Sequence, residues 1–363
     1  MHIDKIKLNN FKNYHSLNLS FNSSINFLFG KNGSGKTNLM DAIYYLSFGR
    51  SAINSIDNDI IKHEKKFFTI EGKYSNNNIY KCTFKVPKDK SIYENEHKYN
   101  KIKEHIGKVP AVFITPNNIS LIRNYSSDRR RFFDLLFSQI DRSYLDNIIQ
   151  YNRLLKQRRT LFKSVYNFEK IDKYQLRAYD EKLIELNKLI YNFRKKEVTL
   201  FNDKFLYISK ILADKKDKNS IKYISNFNKD IGIEDFEKNH KNDFFSLKTS
   251  IGIHNDDYLF NLNDLLIKKF GSQGQQKLFI IILKISEYYI LKEKIKKSPI
   301  LLLDDIFHKL DDKKIDVILD YISSNDFTQI FISDSIKERL NKIKKIKKDV
   351  KIIELDNKEI NEE

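Results

Sequence analysis

The chain has 363 residues, of which 31% are charged, 40% hydrophobic and 13% aromatic, with a formal net charge of +18. That length accommodates one large domain or two ordinary ones with a sizeable core. The positive excess favours an anionic partner such as nucleic acid, tempered by an abundance of lysine, asparagine and isoleucine throughout, which an A/T-rich coding bias alone would produce. The single cysteine, Cys82, excludes an internal disulfide and a four-thiol zinc site. The N-terminus carries Asp4 and polar residues where a signal peptide is expected to be continuously apolar, and the most apolar helical stretch, residues 278–291, is broken by Lys284, Ser286 and Glu287 and falls short of the ~20 apolar residues a bilayer requires. The expected setting is soluble, reducing and cytoplasmic.

In chain order, Ile6 and Leu8, then Leu17, Leu19 and Phe21, alternate with polar residues at period two and predict half-buried strands. The apolar run at residues 25–29 leads into GKNGSGKT (residues 30–37), which opens a segment with Leu39, Ile43 and Leu46 at helical spacing and Gly49 as its stop. A strand feeding a glycine-rich turn and a helix aims several backbone N–H groups and the positive helix end at one point, where triphosphate oxygens can sit. In this P-loop pattern Lys36 reaches the β- and γ-phosphates and the Thr37 hydroxyl ligates Mg²⁺. Residues 67–74 and 79–86 predict a hairpin around 75–78, with Cys82 as a small packed side chain, and 109–115 a further strand ended by Pro116. From about Ser127 the period becomes helical, with Asp128 as the expected N-cap of a helix carrying Arg129, Arg130 and Arg131. Leu176, Tyr179, Leu183, Leu186, Ile190 and Phe193 then form a heptad-like seam, expected to be a helical arm packed on its own domain rather than an intermolecular coiled coil. Beyond residue 251 the pattern returns to α/β, with a loop and helix over 270–293 and strands over 299–303, 328–333 and 350–355.

The apolar run Ile300–Leu303 ends in Asp304 and Asp305. Alone it could be a strand capped by polar residues. Downstream of a P-loop, Asp304 at the C-terminal end of a parallel strand can hold Mg²⁺ opposite Thr37, and Asp305 can orient or deprotonate an attacking water. GSQGQQ (residues 271–276) places Ser272 and the amides near Gly274 at a helix start, either a second anion site or an ordinary capping loop.

The order of these strings resembles the ABC-type ATPase heads and, within them, the RecF family of DNA replication and repair proteins. The resemblance is carried by NFKNY (10–14), GKNGSGKTNLMDAIYYLSFGRS (30–51), SDRRRFFDLLFSQIDRSYLDNIIQYNRLLKQR (127–158), GIHNDD (252–257), GSQGQQK (271–277) and LLLDDIFHKLD (301–311). It implies an α/β, SMC-like P-loop ATPase head with an inserted α-helical lobe and no long coiled coil. The head would comprise residues 1–126 and 251–363, and the lobe residues 127–250. Family members pair when ATP is bound and load onto single-stranded or gapped DNA, working with RecR and RecO to promote RecA loading and the SOS response. Carried over by motif, Gly30, Lys31, Asn32, Gly33, Ser34, Gly35, Lys36 and Thr37 bind ATP, Asp304 the Mg²⁺, and Asp305 stands at the hydrolytic position of a weak DNA-stimulated ATPase. Ser272, Gly274 and Gln275 would meet the γ-phosphate held by the other subunit of a homodimer, with Asp311 at the same interface. The chain departs from the family pattern at Ile253 and Asn255, at His308-Lys309 and at Pro116-Asn117-Asn118. These changes touch hydrolysis and pairing more than ATP binding.

Arg129, Arg130 and Arg131, and Lys156, Arg158 and Arg159, are candidate contacts to DNA phosphates. No base-reading motif accompanies them, so binding should follow backbone charge and weaken with salt. Two other readings share the strings: a nucleotide-binding subunit of a membrane transporter, disfavoured by the arginine block and helical insertion, and an ATP-binding clamp with little hydrolysis.

Overall fold

The computed structural model describes residues 1–308, 310–324, 327–336, 339–341, 349–355 and 360–362. Residues 1–119 and 272–363 form one compact unit and residues 120–271 a second. The first unit begins with β1 (Ile3–Phe11), β2 (Tyr14–Ser20) and β3 (Ile25–Phe29), followed by α1 (Lys36–Phe48). It continues through β4 (Phe67–Tyr74), β5 (Ile79–Lys85), β6 (Asp89–Glu94), β7 (His97–Lys98) and β8 (Ala111–Ile114).

The antiparallel register pairs Ile6 with Leu19 and Leu8 with Leu17, so the period-two alternation puts all four on one face. That face belongs to a six-stranded sheet ordered β2-β1-β4-β5-β6-β7. It buries Ile6, Leu8, Leu19, Phe68, Ile70 and Phe84 in one core with Leu39, Met40, Ile43 and Leu46 of α1. Cys82 is packed in the same core, where burial pushes its thiol up to about 12, so it is a core side chain and not a nucleophile. Strands β6 and β7 were not foreseen, because DKSIYE carries only two apolar residues and its hairpin partner supplies the pairing.

The second unit contains α2 (Ser120–Arg123), α3 (Ser126–Ile140), α4 (Arg142–Lys163), α5 (Lys173–Leu212), β9 (Asn219–Ile224), α6 (Ile233–Ser246), β10 (Asp257–Leu262), β11 (Leu265–Leu266) and α7 (Ile267–Phe270). Its helices accompany a three-stranded sheet, β11-β10-β9, that the sequence reading did not expect. The segment 252–257 lies in this unit, since the contact boundaries fall at 119/120 and 271/272 rather than at 126/127 and 250/251. The seam on α5 is an internal one. Leu176, Leu183, Leu186 and Ile190 are buried, the stripe continues through Phe201, Phe205, Ile208 and Leu212, and the helix lies against α4 and β9. α3 starts earlier than expected: Tyr125 is its N-cap residue, and Asp128 sits in the first turn, accepting from Asn124 Nδ2 at 2.9 Å.

The chain returns to the first unit with α8 (Gln273–Ile295), β12 (Ile300–Asp304), α9 (Asp312–Ser324), β13 (Gln329–Asp334), β14 (Val350–Leu355) and β15 (Ile360–Glu362). These build a second sheet ordered β15-β14-β3-β13-β12-β8, parallel except at β15. β3, β8, β12 and β13 are almost wholly buried, which is why their sequences read as continuous apolar runs. All five parallel strands present their C-terminal ends to the same side of the sheet.

Candidate nucleotide site

β3 ends at Phe29, and the chain turns through Gly30–Gly35 into α1. Gly33 (φ 84°) and Gly35 (φ 104°) hold backbone conformations that side-chain-bearing residues avoid. A Cβ on Gly35 would also lie 2.5 Å from the Tyr14 hydroxyl. That hydroxyl donates to the Gly35 carbonyl at 3.0 Å, so β2 braces the loop. Asn13 supports it from the same turn, its Oδ1 accepting from Asn38 Nδ2 at 2.7 Å. Sequence reading assigned no role to Asn13 or Tyr14, although both lie in the NFKNY string.

Lys36 Nζ donates to the carbonyls of Gly30 and Lys31 at 2.6 and 2.9 Å. Burial lowers its pKa, while Asp304, Asp305 and Asp334 oppose that shift. The Thr37 hydroxyl lies 3.0 and 2.8 Å from the two oxygens of Asp304, at the end of β12. Asp304 also accepts from the Ser333 hydroxyl at 2.6 Å, and burial raises its carboxyl above the ordinary range despite these hydrogen bonds. The same Ser333 oxygen accepts from the Asp305 amide at 3.1 Å, beside a left-handed Asp305 backbone (φ 46°). The exposed Asp305 side chain joins Asn32, Gly33, Gly35, Lys36, Thr37, Asn38, Asp304, Ser333, Asp334 and Ser335 around a cleft of ≈ 230 Å³. Ser333 and Asp334 were missed as site residues. The available signal was topological, since β13 lies between β3 and β12 and its polar C-terminus must fall at the same sheet edge.

The donor set fits a nucleotide and a hard cation. The first-turn amides of α1 have no intrahelical acceptor, Lys36 adds an ammonium held only by neutral carbonyls, and the buried Ser34 hydroxyl has no protein partner. Two neighbouring ligands on an octahedral Mg²⁺ lie about 2.9 Å apart, given bonds of about 2.0–2.1 Å, and the Thr37 and Asp304 oxygens already stand at that separation. No group of three or more His, Cys, Asp or Glu side chains suited to a metal occurs among the described residues. Most ligands of a cation here would therefore be phosphate and water oxygens.

Ser272, Gly274, Gln275 and Asp311 do not line this cleft. Ser272 and Gln275 form a reciprocal capping box at the start of α8, the Ser272 hydroxyl accepting from the Gln275 amide at 3.2 Å and Gln275 Oε1 from the Ser272 amide at 3.0 Å. Ser272 and Asp311 are exposed. Of the departures from the family pattern, His308 is exposed, Ile253 is buried, and Asn255 donates to the Ser250 carbonyl at 2.8 Å; Lys309 lies outside the described residues.

The arginine candidates divide. Arg158, expected at a DNA phosphate, is instead fully buried, with Nε on Asp180 at 2.7 Å and Nη1 on Asp243 at 2.8 Å. Arg129 is committed to Asp257 through Nε and Nη2 at 2.8 and 3.0 Å. Arg130 donates to the Asp256 carbonyl at 2.6 Å and to Ser126 Oγ at 2.7 Å. Arg131, Lys156 and Arg159 are exposed. No helix among the described residues is long and apolar enough to cross a membrane.

Comparison with known proteins places this geometry in a family. Residues 2–360 match the RecF/RecN/SMC N terminal domain family. The DNA replication and repair protein RecF of Cytophaga hutchinsonii is 40% identical over 344 residues, covering 93% of this chain and 90% of that protein. That of Phocaeicola vulgatus is 36% identical over 372 residues, covering 100% and 98%. Among solved structures, one described as the recombination mediator protein RecF-ATP in the RecFOR pathway has a TM-score of 0.87 at 26% identity, covering 99% of this chain and 97% of that one. An Smc head domain from Pyrococcus furiosus, at TM-score 0.55 and 16% identity over 100% and 96% of the two chains, shares the fold alone. The chain, with its P-loop, its Asp-ended parallel strand and its capped α8, belongs to the RecF family of SMC-like, ABC-type ATPase heads.

Proposed function

We propose that this chain is an ATP-dependent DNA-binding protein of recombinational repair and replication, and that it pairs with a second copy when ATP is bound. In this reading Gly30–Thr37 would cradle the triphosphate, Lys36 would leave the Gly30 and Lys31 carbonyls for the β- and γ-phosphates, and Thr37 and Asp304 would hold a Mg²⁺ whose chemistry, when bound, is to offset phosphate charge. Ser333 keeps the Asp304 carboxylate and the Asp305 backbone in place, and Asp305 orients the attacking water. The relatives' names support DNA as the partner, and the description of the matched structure as a recombination mediator in the RecFOR pathway supports action together with RecO- and RecR-like proteins.

The observation that carries pairing is the separation of the two halves of the chemistry. The cleft is lined by the P-loop and the strand ends, while the capped Ser272–Gln276 segment and Asp311 offer exposed groups that do not line it. A second copy supplies the missing γ-phosphate contacts from its own Ser272 and Gly274, so ATP binds the copies together and hydrolysis releases them. Sedimentation with and without Mg-ATP tests this. Lys36→Ala should abolish both nucleotide binding and pairing, whereas Ser272→Arg should bind ATP and stay monomeric. A Ser272→Arg protein that pairs as the unaltered chain does would overturn the composite site.

A further inference from the structure

Ten of the twelve arginines lie between Arg123 and Arg194. In a chain where lysine is abundant throughout, the clustered arginines are the more informative cations. Five are committed within the second unit: Arg129, Arg158, Arg177 and Arg194 to carboxylates and Arg130 to a carbonyl. Arg153 and Arg159 on α4 differ, being exposed and without an ion pair among the described residues. With Lys156 and Lys163, also exposed, they form a row within an arc of about 120° of the helix. Ten residues of helix span about 15 Å, close to four steps of a nucleic-acid strand at about 3.4 Å each.

At the C-terminal end of this row, Phe162, Ile171, Leu176 and Phe244 join the end of α4, the start of α5 and the end of α6 in one apolar cluster. Three rings close in sequence to members of this cluster are exposed, Tyr166 at 107%, Tyr174 at 90% and Phe245 at 78%. Arg159 and Lys248 line a cavity of ≈ 230 Å³ together with Leu155, Phe162 and Leu247. Exposed aromatics on the segments that also carry exposed cations mark a binding surface.

We infer that this end of the second unit is a stacking platform for single-stranded nucleic acid: Arg153, Lys156, Arg159 and Lys163 follow the backbone, and Tyr166, Tyr174 and Phe245 stack on bases. A single strand is the occupant because its bases offer free π-faces, whereas those of a duplex are already stacked on one another. The inference rests on the DNA-binding reading above and gives it a location and a strand preference.

The test compares a labelled oligothymidylate with a blunt duplex of equal length, by anisotropy with Mg-ATP present. The combined variant Tyr166→Ala, Tyr174→Ala, Phe245→Ala should lose at least about tenfold in oligothymidylate affinity, given the usual worth of base–aromatic stacking, and should leave duplex affinity within about twofold. Lys156→Glu, Arg159→Glu, Lys163→Glu should lower the salt slope for the oligothymidylate by about 2, at about 0.7 per phosphate contact. Equal losses on both substrates, or no loss on either, overturn the platform, and in the second case the rings serve a protein partner. ATP-dependent pairing measured on the same variants separates the levels. Pairing intact with oligothymidylate binding unchanged removes the platform alone, whereas an unaltered chain that binds neither substrate removes the DNA-binding reading as well.

Discussion

In the nucleotide cleft Lys36 is held by two carbonyls and Asp304 by two hydroxyls, whereas in the second unit Arg158 and Arg194 each meet two carboxylates. Both arrangements bury charge, but only in the second are the cations hydrogen-bonded directly to carboxylates, whereas Asp304, Asp305 and Asp334 act on Lys36 through space. Arg158 also lies 4.7 Å above the Phe162 ring, and the second carboxylate oxygen of Asp180 takes His240 Nε2 at 2.6 Å. Arg194 is tied to Tyr144, Asp134, Asp256 and the Ile253 carbonyl. Charges matched by opposite charges are fixed parts of a scaffold. Charges hydrogen-bonded only to neutral groups remain available to a ligand that brings its own.

The sharpest way to break this comparison is to remove one charge from each region. Arg158→Ala leaves Asp180 and Asp243 buried without their cation and should cost about 3–5 kcal/mol, read as a lower urea midpoint at unchanged m. A loss below about 1 kcal/mol would mean that water satisfies the site and that the network is not a scaffold. Asp304→Asn should do the reverse. Burial has raised this carboxyl, so removing its charge should stabilise the ligand-free protein by about 0.5–2 kcal/mol, as at other functional sites, while ending any stabilisation by Mg-ATP. Thermal melts with and without nucleotide check both halves, and a destabilised ligand-free Asp304→Asn protein would place that residue with the scaffold.

The smallest effect is shared by the two units. Burial holds His105 and His254 below the ordinary histidine value of 6.5. Just below that pH the unfolded chain takes up protons that the folded one refuses, so stability falls on acidification, by at most about 1.4 kcal/mol per pH unit for each group. Urea midpoints that stay flat between neutrality and pH 5.5 would show both rings to be protonated within the fold.

What could be read from the sequence follows the same division. The P-loop, the Asp-ended strand and the Ser272 cap are local strings whose geometry is set within a few residues, and they were legible. Arg158 was not. It looked like a phosphate contact because Asp180 and Asp243 lie 22 and 85 positions away, and nothing in the local pattern says that their chains meet. Ser333 escaped for a related reason, since its reach to Asp304 depends on which parallel strand neighbours which. The three-stranded sheet of the second unit was hidden because β9, NSIKYI, is too short and too polar to stand out beside a 40-residue helix.

The placement of β3 between β13 and β14 bears on how the protein is made. A ribosome releases the P-loop early, but the strand that aims it gains both lateral neighbours only after residue 355 has been synthesised. The second unit is continuous in sequence and can be assembled during translation. The nucleotide cleft is thus finished last, and a truncated product carries the phosphate-binding loop without the sheet that mounts it.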